Sequence, residues 1–74
     1  MRIHFFGRLR DGAPAGEVPP EVRDTGALRA WLGRGRPELL DRSVRIAVND
    51  EMIAGDGPIG EEDEIAFLPP MSGG

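Results

Sequence analysis

The clearest structural signal in the chain is a short stretch in which Val44, Ile46 and Val48 alternate with polar or small residues. Successive side chains of a β-strand point to opposite faces of a sheet, so this period of two predicts a strand with one buried and one exposed face. The buried face must be covered by another layer of secondary structure. A chain of 74 residues has room for one such core, so we expect a single domain.

The covering element is predicted to be a helix that begins near residue 24. Leu28, Trp31 and Leu32 follow the i, i+3, i+4 spacing of one apolar helix face. Asp24 and Thr25 are both suitable N-caps, because their side-chain oxygens can accept a hydrogen bond from the first helical turn. Arg29 and Arg34 are expected to face away from the core, and Gly33 and Gly35 are expected to end the helix.

The other extended segments are shorter. Residues 3–6 and 64–68 are apolar runs that include aromatic side chains, and both are predicted strands. Residues 52–53 form a second short strand after a turn at residues 49–51. Residues 17–22 contain two prolines, which lack the N–H that a sheet requires, so this segment is either an edge strand or an irregular return. Turns or loops are expected at residues 11–16, 37–40, 56–58 and 60–63.

The order of these elements is typical of an α+β protein with a β-grasp (ubiquitin-like) fold, in which a mixed sheet packs on one main helix. We assign residues 1–68 to this domain and residues 69–74 to an extended, flexible C-terminal tail that ends in Gly-Gly. The side chains expected to build the core are Leu28, Trp31, Leu32, Ile3, Phe5, Val44, Ile46, Val48, Ile65 and Phe67. Each would stabilise the fold by roughly 1.5–3 kcal/mol on full burial.

The composition of the chain disfavours several classes of function. A net charge of −4 disfavours nucleic acid and anionic membranes as partners. The absence of cysteine removes disulfides, thiol catalysis and Cys-based zinc sites, and a single histidine, His4, is too few for a His-rich metal site. No apolar run reaches membrane-spanning length and residues 1–4 do not form a signal peptide, so a cytoplasmic protein is expected.

The strongest functional signal is the closing segment, residues 69–74 (Pro-Pro-Met-Ser-Gly-Gly). Glycines without a Cβ can thread a narrow channel, and a nucleophile can reach the last carbonyl carbon with little hindrance. The prolines stiffen the approach, and six residues extend at most about 20 Å. A frayed end is the alternative, since small residues collect at termini. The carrier residues we predict are Gly74 as the reactive carboxylate, with Gly73, Ser72, Met71, Pro70 and Pro69 threading it into a partner.

The remaining polar candidates are interpreted as solvent-exposed. His4 alternates with apolar neighbours and is expected on the sheet face away from the helix. The acidic run at residues 61–64 is expected to be a solvated turn that could also steer a basic partner. Arg8 and Arg10 are expected to lie in a solvated loop. None of these residues supplies a base, nucleophile or metal site beside the tail, so the catalytic groups would have to come from partners.

Three segments resemble the small subunits of molybdopterin synthase (MoaD). They are residues 5–11 (Phe-Phe-Gly-Arg-Leu-Arg-Asp), residues 47–49 (Ala-Val-Asn) and residues 64–74, whose aromatic strand, double proline and glycine pair are the most specific part. The similarity covers the whole chain in order and length. It departs at residues 61–64, where relatives commonly have an Asp-Gly turn, and at residues 33–42. The chain is thus similar to the MoaD/ThiS family of ubiquitin-like sulfur carriers.

That resemblance implies a reaction and its partners. Gly74 would be adenylated by an E1-like enzyme that uses ATP, and then converted to a thiocarboxylate with sulfur from a persulfide donor. The large subunit of molybdopterin synthase, joined to this chain in a heterotetramer, would use the sulfur to build the dithiolene of molybdopterin in molybdenum cofactor biosynthesis. The chain itself would bind no cofactor or metal. It would be the sulfur-carrying subunit of a sulfurtransferase complex, without catalytic residues of its own.

Strand alternation also predicts where partners dock. If the core residues of the first and last strands point to the helix, Phe6 and Leu68 must point to the opposite, uncovered face, and Met52 on the neighbouring short strand joins them. Apolar side chains grouped on a polar surface commonly mark an interface. The resemblance implies the same, since relatives use hydrophobic residues at matching positions to grip both partner enzymes. The alternative is that Leu68 or Met52 caps the core.

Three other functions remain open from the sequence. The chain could carry sulfur for thiamine, cysteine or a tungsten cofactor, although the double proline favours molybdopterin. It could be a protein modifier joined through Gly74 to lysines of target proteins, which would produce high-mass covalent adducts. A purely structural interaction module would not need an intact tail.

Overall fold

Four strands form one mixed sheet: β1 (Arg2–Phe5), β2 (Arg45–Val48), β3 (Glu51–Met52) and β4 (Glu64–Leu68), in the spatial order β1-β4-β2-β3. β4 pairs in parallel with β1 and antiparallel with β2, which pairs antiparallel with β3. The computed structural model describes residues 1–11 and 17–70; the predicted tail residues Met71, Ser72, Gly73 and Gly74 lie outside the described residues. The predicted strand positions are confirmed to within one residue at most ends.

One face of this sheet packs on the helix α1 (Thr25–Gly33). Ile3 and Phe5 of β1 stand opposite the core residues of β4, and the rings of Phe5 and Phe67 stack with centroids 5.5 Å apart. Leu28 and Leu32 of α1 belong to the same buried cluster as Phe67. Together these contacts give the predicted β-grasp arrangement, a mixed sheet with one main helix on one side.

The start of α1 follows from its N-cap. The Asp24 carboxylate accepts a hydrogen bond from the Ala27 backbone N–H at 2.7 Å, which satisfies one of the free donors of the first turn. Thr25, the other predicted cap, is the first helical residue and is fully buried. Its hydroxyl accepts a hydrogen bond from the Gly57 N–H at 3.0 Å and so connects the helix to the loop before β4.

The buried core differs in part from the prediction. The buried members are Leu9, Val22, Leu28, Leu32, Leu39, Val44, Ile46, Ile59, Ile65 and Phe67. The predicted core residues Ile3, Phe5, Trp31 and Val48 are only partly buried and pack around that cluster. β1 is one of the two edge strands of the described sheet, and loop residues close the ends of the layer in place of a further strand. Leu9 does so from a 3₁₀ helix at Gly7–Asp11, and Leu39 from another at Pro37–Leu40.

Residues 17–22 are not a strand of the sheet. Of the two predictions for this segment, the edge strand was wrong and the irregular return is what the structure shows. Val22 is buried, and the next residues make an isolated β-bridge between Asp24 and Pro58. Pro19 and Pro20 have no N–H to donate to β1, which accounts for the absence of pairing.

The prediction that Arg29 faces away from the core was wrong, because its side chain is half-buried against the connection before β2. Its guanidinium donates to the backbone carbonyls of Leu39 at 2.7 Å, Asp41 at 3.0 Å and Val44 at 2.8 Å. These carbonyls lie in or beside the irregular connection before β2, where they lack regular partners. Arg29 therefore ties the middle of α1 to the segment that leads into the central strand.

The end of the molecule opposite the tail is held by Asn49 and Asp63. Asn49 and Asp50 have positive φ angles of 52° and 68° in the turn between β2 and β3. The Asn49 side chain donates to Asp63 at 3.0 Å and accepts from the Glu64 N–H at 3.0 Å. Asp63 also accepts from the Gly60 N–H at 2.7 Å. The Asn49 amide first, and then the Gly60 N–H, hold the pKa of the Asp63 carboxyl below its ordinary value of 3.8.

This network predicts an acid-dependent loss of stability that Asp63→Asn should reduce. A carboxyl whose folded-state pKa lies below its unfolded value stabilises the fold above the unfolded pKa, and that contribution is lost as the pH falls below about 4. Urea unfolding midpoints at pH 7 and pH 3 measure it. The matched control is Glu62→Gln, at an exposed neighbouring position. Wild-type and Asp63→Asn proteins with the same pH dependence would contradict the prediction.

Candidate functional site

The first residue of the tail packs against the turn that follows β1. We call Leu68 and Pro69 the tail root. The Phe6 N–H donates to the Phe67 carbonyl at 3.0 Å, which places the turn after β1 beside the end of β4. Gly7 in that turn has a φ of +57°, and a Cβ there would fall 2.7 Å from Cγ of Pro69. Pro69 and Pro70 are half-buried. The contact with Gly7 fixes the direction in which the chain leaves the sheet.

The three predicted docking residues lie at exposed or half-exposed positions around the uncovered face, which is the sheet face turned away from α1. Met52 is paired with Ala47, which is itself paired with Ala66 of β4, so these side chains share a face. Leu68 follows Ala66 by two residues and is half-buried. Phe6 and Met52 each remain 47% exposed. None of the three belongs to the buried core cluster. Met52 and Leu68 thus share the uncovered face and Phe6 is exposed after β1, while the docking role of these three residues stays a prediction.

The opposite end of this face is polar. Glu64 Oε1 lies 3.6 Å from an Arg2 guanidinium nitrogen and 3.6 Å from His4 Nε2. The side chains of His4 and Glu64 are each 48% exposed, so an ion pair here contributes little to stability. His4 is thus an exposed strand residue. Arg8 and Arg10 are also exposed, in the 3₁₀ helix that follows β1.

The described part of the chain, residues 1–11 and 17–70, contains no group of three or more His, Asp or Glu residues placed to hold a metal ion. None of its helices has the length and apolar character needed to cross a membrane.

Arg36 is a residue of this region that sequence reasoning missed. Its guanidinium carbon lies 4.4 Å from the centroid of the Phe5 ring, and its nitrogens donate to the Leu9 carbonyl and, at 3.2 Å, to Glu38. Only 11% of the side chain is exposed. Arg36 therefore holds β1 and the 3₁₀ helix after it, the two elements that position Phe6 and Gly7. An arginine in a Gly- and Pro-rich connection carries no periodic signal that could have identified it.

Comparisons with known proteins identify the family of the chain. The ThiS family matches residues 3–74. The molybdopterin synthase sulfur carrier subunit of Escherichia coli is 32% identical over 80 residues, which cover 100% of this chain and 99% of the relative. The protein of the same name from Mycobacterium tuberculosis is 34% identical over 82 residues, which cover 100% of this chain and 96% of the relative. The family resemblance found in the sequence is confirmed, and the β-grasp fold with it.

Proposed function

Because the chain belongs to the ThiS family, we propose that it is the sulfur carrier subunit of a molybdopterin synthase, with Gly74 as the residue that carries the sulfur. The observation that supports this most directly is the similarity to two molybdopterin synthase sulfur carrier subunits over essentially their whole lengths. The packed tail root adds a physical reason. The contact between Gly7 and Pro69 fixes the position at which the chain leaves the sheet, which suits the base of a carrier arm.

The proposed chemistry begins with activation, because a free carboxylate would have to expel oxide. An oxygen of the Gly74 carboxylate attacks the α-phosphorus of ATP and pyrophosphate leaves, which gives an acyl adenylate. The terminal sulfur of a partner's persulfide then attacks the carbonyl carbon and AMP leaves. A partner thiol attacks the remaining S–S bond, so that the partner keeps a disulfide and Gly74 keeps a thiocarboxylate. ATP and both sulfur groups belong to partners, and this chain binds no cofactor of its own.

The contribution of this chain is to present the tail. The residues from Pro69 to Gly74 extend at most about 20 Å, enough to cross the wall of a partner. The two prolines lower the entropy that an extended segment loses when it enters a channel. Of the proposed docking residues, Leu68 belongs to the tail root and Phe6 follows the strand that pairs with β4, so a partner bound there would lie close to the start of the tail.

The proposed partners are an E1-like adenylating enzyme, a persulfide sulfur donor and the large subunit of molybdopterin synthase, the last in a heterotetramer. The large subunit would use the sulfur for the molybdopterin dithiolene. Because activation consumes ATP, the proposed location is the cytoplasm.

The proposal predicts a sulfurated form of the chain. After incubation with ATP, the adenylating enzyme of the same organism and a persulfide source, intact-mass spectrometry should show one oxygen replaced by one sulfur. Fragmentation should place the change at Gly74. A reaction without ATP and a chain without Gly73 and Gly74 are the controls, and neither should gain sulfur. If the enzyme releases pyrophosphate with this chain but no sulfurated species forms in repeated trials, the carrier role is wrong.

A further inference from the structure

The feature that points beyond the proposed function is Arg45, at the start of β2. Arg45 is paired across the sheet with Leu68, the last residue of β4. Side chains directly opposite one another on antiparallel strands project to the same face. Arg45 is exposed. It therefore stands on the uncovered face, immediately beside the tail root.

Arg45 differs from Arg2 and His4, the other basic residues of that face, in its distance from acidic side chains. Arg2 and His4 both lie 3.6 Å from Glu64, at the far end of β4. Among the side chains described in residues 1–10 and 17–70, Arg45 makes no ion pair. Its charge is therefore not neutralised within that part of the protein.

Other charged residues are also divided between the two ends of the sheet, with acidic residues where β4 begins and arginines where the tail begins. The acidic run at residues 61–64 and Asp50 lie at the end of the sheet where β4 begins. Arg8 and Arg10 lie in the 3₁₀ helix that contacts β4, on the end where the tail begins. Three exposed arginines, Arg8, Arg10 and Arg45, thus lie at the end of the sheet where the tail begins, in a protein whose net charge is −4. A complementary partner surface would be acidic there.

We propose that Arg45 pairs with a carboxylate of the large subunit, at the rim of the channel that the tail enters. This inference rests on the proposed function. The apolar contacts of Phe6, Met52 and Leu68 are not directional. An arginine presents two parallel N–H donors to a carboxylate, so the pair adds a geometric constraint. Because Arg45 is beside the tail root, that constraint fixes the rotation of the chain about the tail and selects the matching large subunit.

The test is binding of the full chain to the purified large subunit of the same organism, by titration calorimetry at about 0.05 M and about 0.5 M salt. Arg45→Gln should weaken binding about tenfold at the lower salt, and Arg45→Glu should weaken it further. The wild-type affinity should fall more steeply with salt than that of Arg45→Gln. Arg34→Gln is the matched control, because Arg34 is exposed at the end of α1 and away from the uncovered face. It should leave the affinity unchanged.

Three results would overturn the inference, and they are distinguishable. Equal affinity and equal salt dependence for wild type and Arg45→Gln would show that Arg45 makes no pair, while the proposed function stands. Failure of the wild-type chain to bind the large subunit would remove the proposed function and this pair with it. If the Arg45→Gln effect disappears in a full-length chain whose Gly74 carboxylate is converted to an amide, the carboxylate would be the chain's own terminus. Thermal melts of each variant confirm that the fold is intact.

Discussion

Removal of Gly73 and Gly74 should abolish sulfur transfer and leave the melting temperature of the protein almost unchanged. Within residues 1–11 and 17–70 the last member of the buried core cluster is Phe67, and Pro69 contacts Gly7, so the described contacts that stabilise the fold precede the deletion. For a domain of this size, 1 kcal/mol corresponds to roughly 4–8 °C in melting temperature. Two small residues at a chain end contribute little of that, so we expect a shift below about 2 °C.

The measurement is molybdopterin formation from cyclic pyranopterin monophosphate, with the large subunit, the adenylating enzyme, ATP and a sulfur donor. A full-length control, Arg34→Gln, changes an exposed residue at the end of α1 and keeps the whole tail, so it should retain activity. If the truncated chain supports formation, the carrier role of Gly74 is wrong. If the intact chain is inactive here but forms high-mass adducts in a cell lysate that depend on Gly74, the chain is a protein modifier instead.

The regular elements of the fold were predictable because each carries a periodic signal. The alternation around Ile46 located β2, the spacing of Leu28 and Leu32 identified α1, and the N-cap candidates Asp24 and Thr25 located its start. One face of each element must be apolar for the layers to pack, and the period of a helix or strand places those apolar residues within a few positions of one another. The pattern can therefore be found in a short stretch of sequence.

Much of the rest of the core was not predictable in this way. Leu9, Val22, Leu39 and Ile59 are buried, yet each lies in a 3₁₀ helix or a loop without a repeating pattern. They are buried because the chain folds back over the open ends of the sheet, which depends on contacts distant in sequence. Arg29 and Arg36 are similar cases. Each bonds backbone carbonyls ten or more residues away, and a sequence shows the charge of an arginine but not its acceptors.

In the candidate site too, the positions set by a local pattern were predictable and the contacts between distant segments were not. The exposed positions of Phe6 and Met52 and the half-buried position of Leu68, outside the core cluster, followed from alternation and from the order of strands. The contact between Gly7 and Pro69 could not be predicted from a local pattern, because it joins the two ends of the described chain. The register that sets Arg45 opposite Leu68 could be found only once β2 and β4 were seen to pair.

Truncation of Phe6 and Leu68 to alanine should weaken binding of the large subunit much more than it weakens the fold. Central apolar anchors of an interface lose roughly 1–3 kcal/mol of binding free energy when truncated, which is about 5- to 150-fold in Kd. Phe6 is 47% exposed in the free chain, so Phe6→Ala removes little buried area from the core. Leu68 is half-buried, so Leu68→Ala should cost somewhat more stability. Titration calorimetry beside thermal melts separates the two effects.

Leu40→Ala is the matched control for both variants. Leu40 is 52% exposed and apolar like Phe6, but it lies in the second 3₁₀ helix, against α1 and away from the uncovered face. Its truncation should leave the affinity for the large subunit unchanged. If Leu40→Ala and Phe6→Ala weaken binding equally, the loss reflects general surface hydrophobicity rather than docking on this face. If Phe6→Ala and Leu68→Ala lower the melting temperature without changing Kd, both residues belong to the core and the partner binds elsewhere.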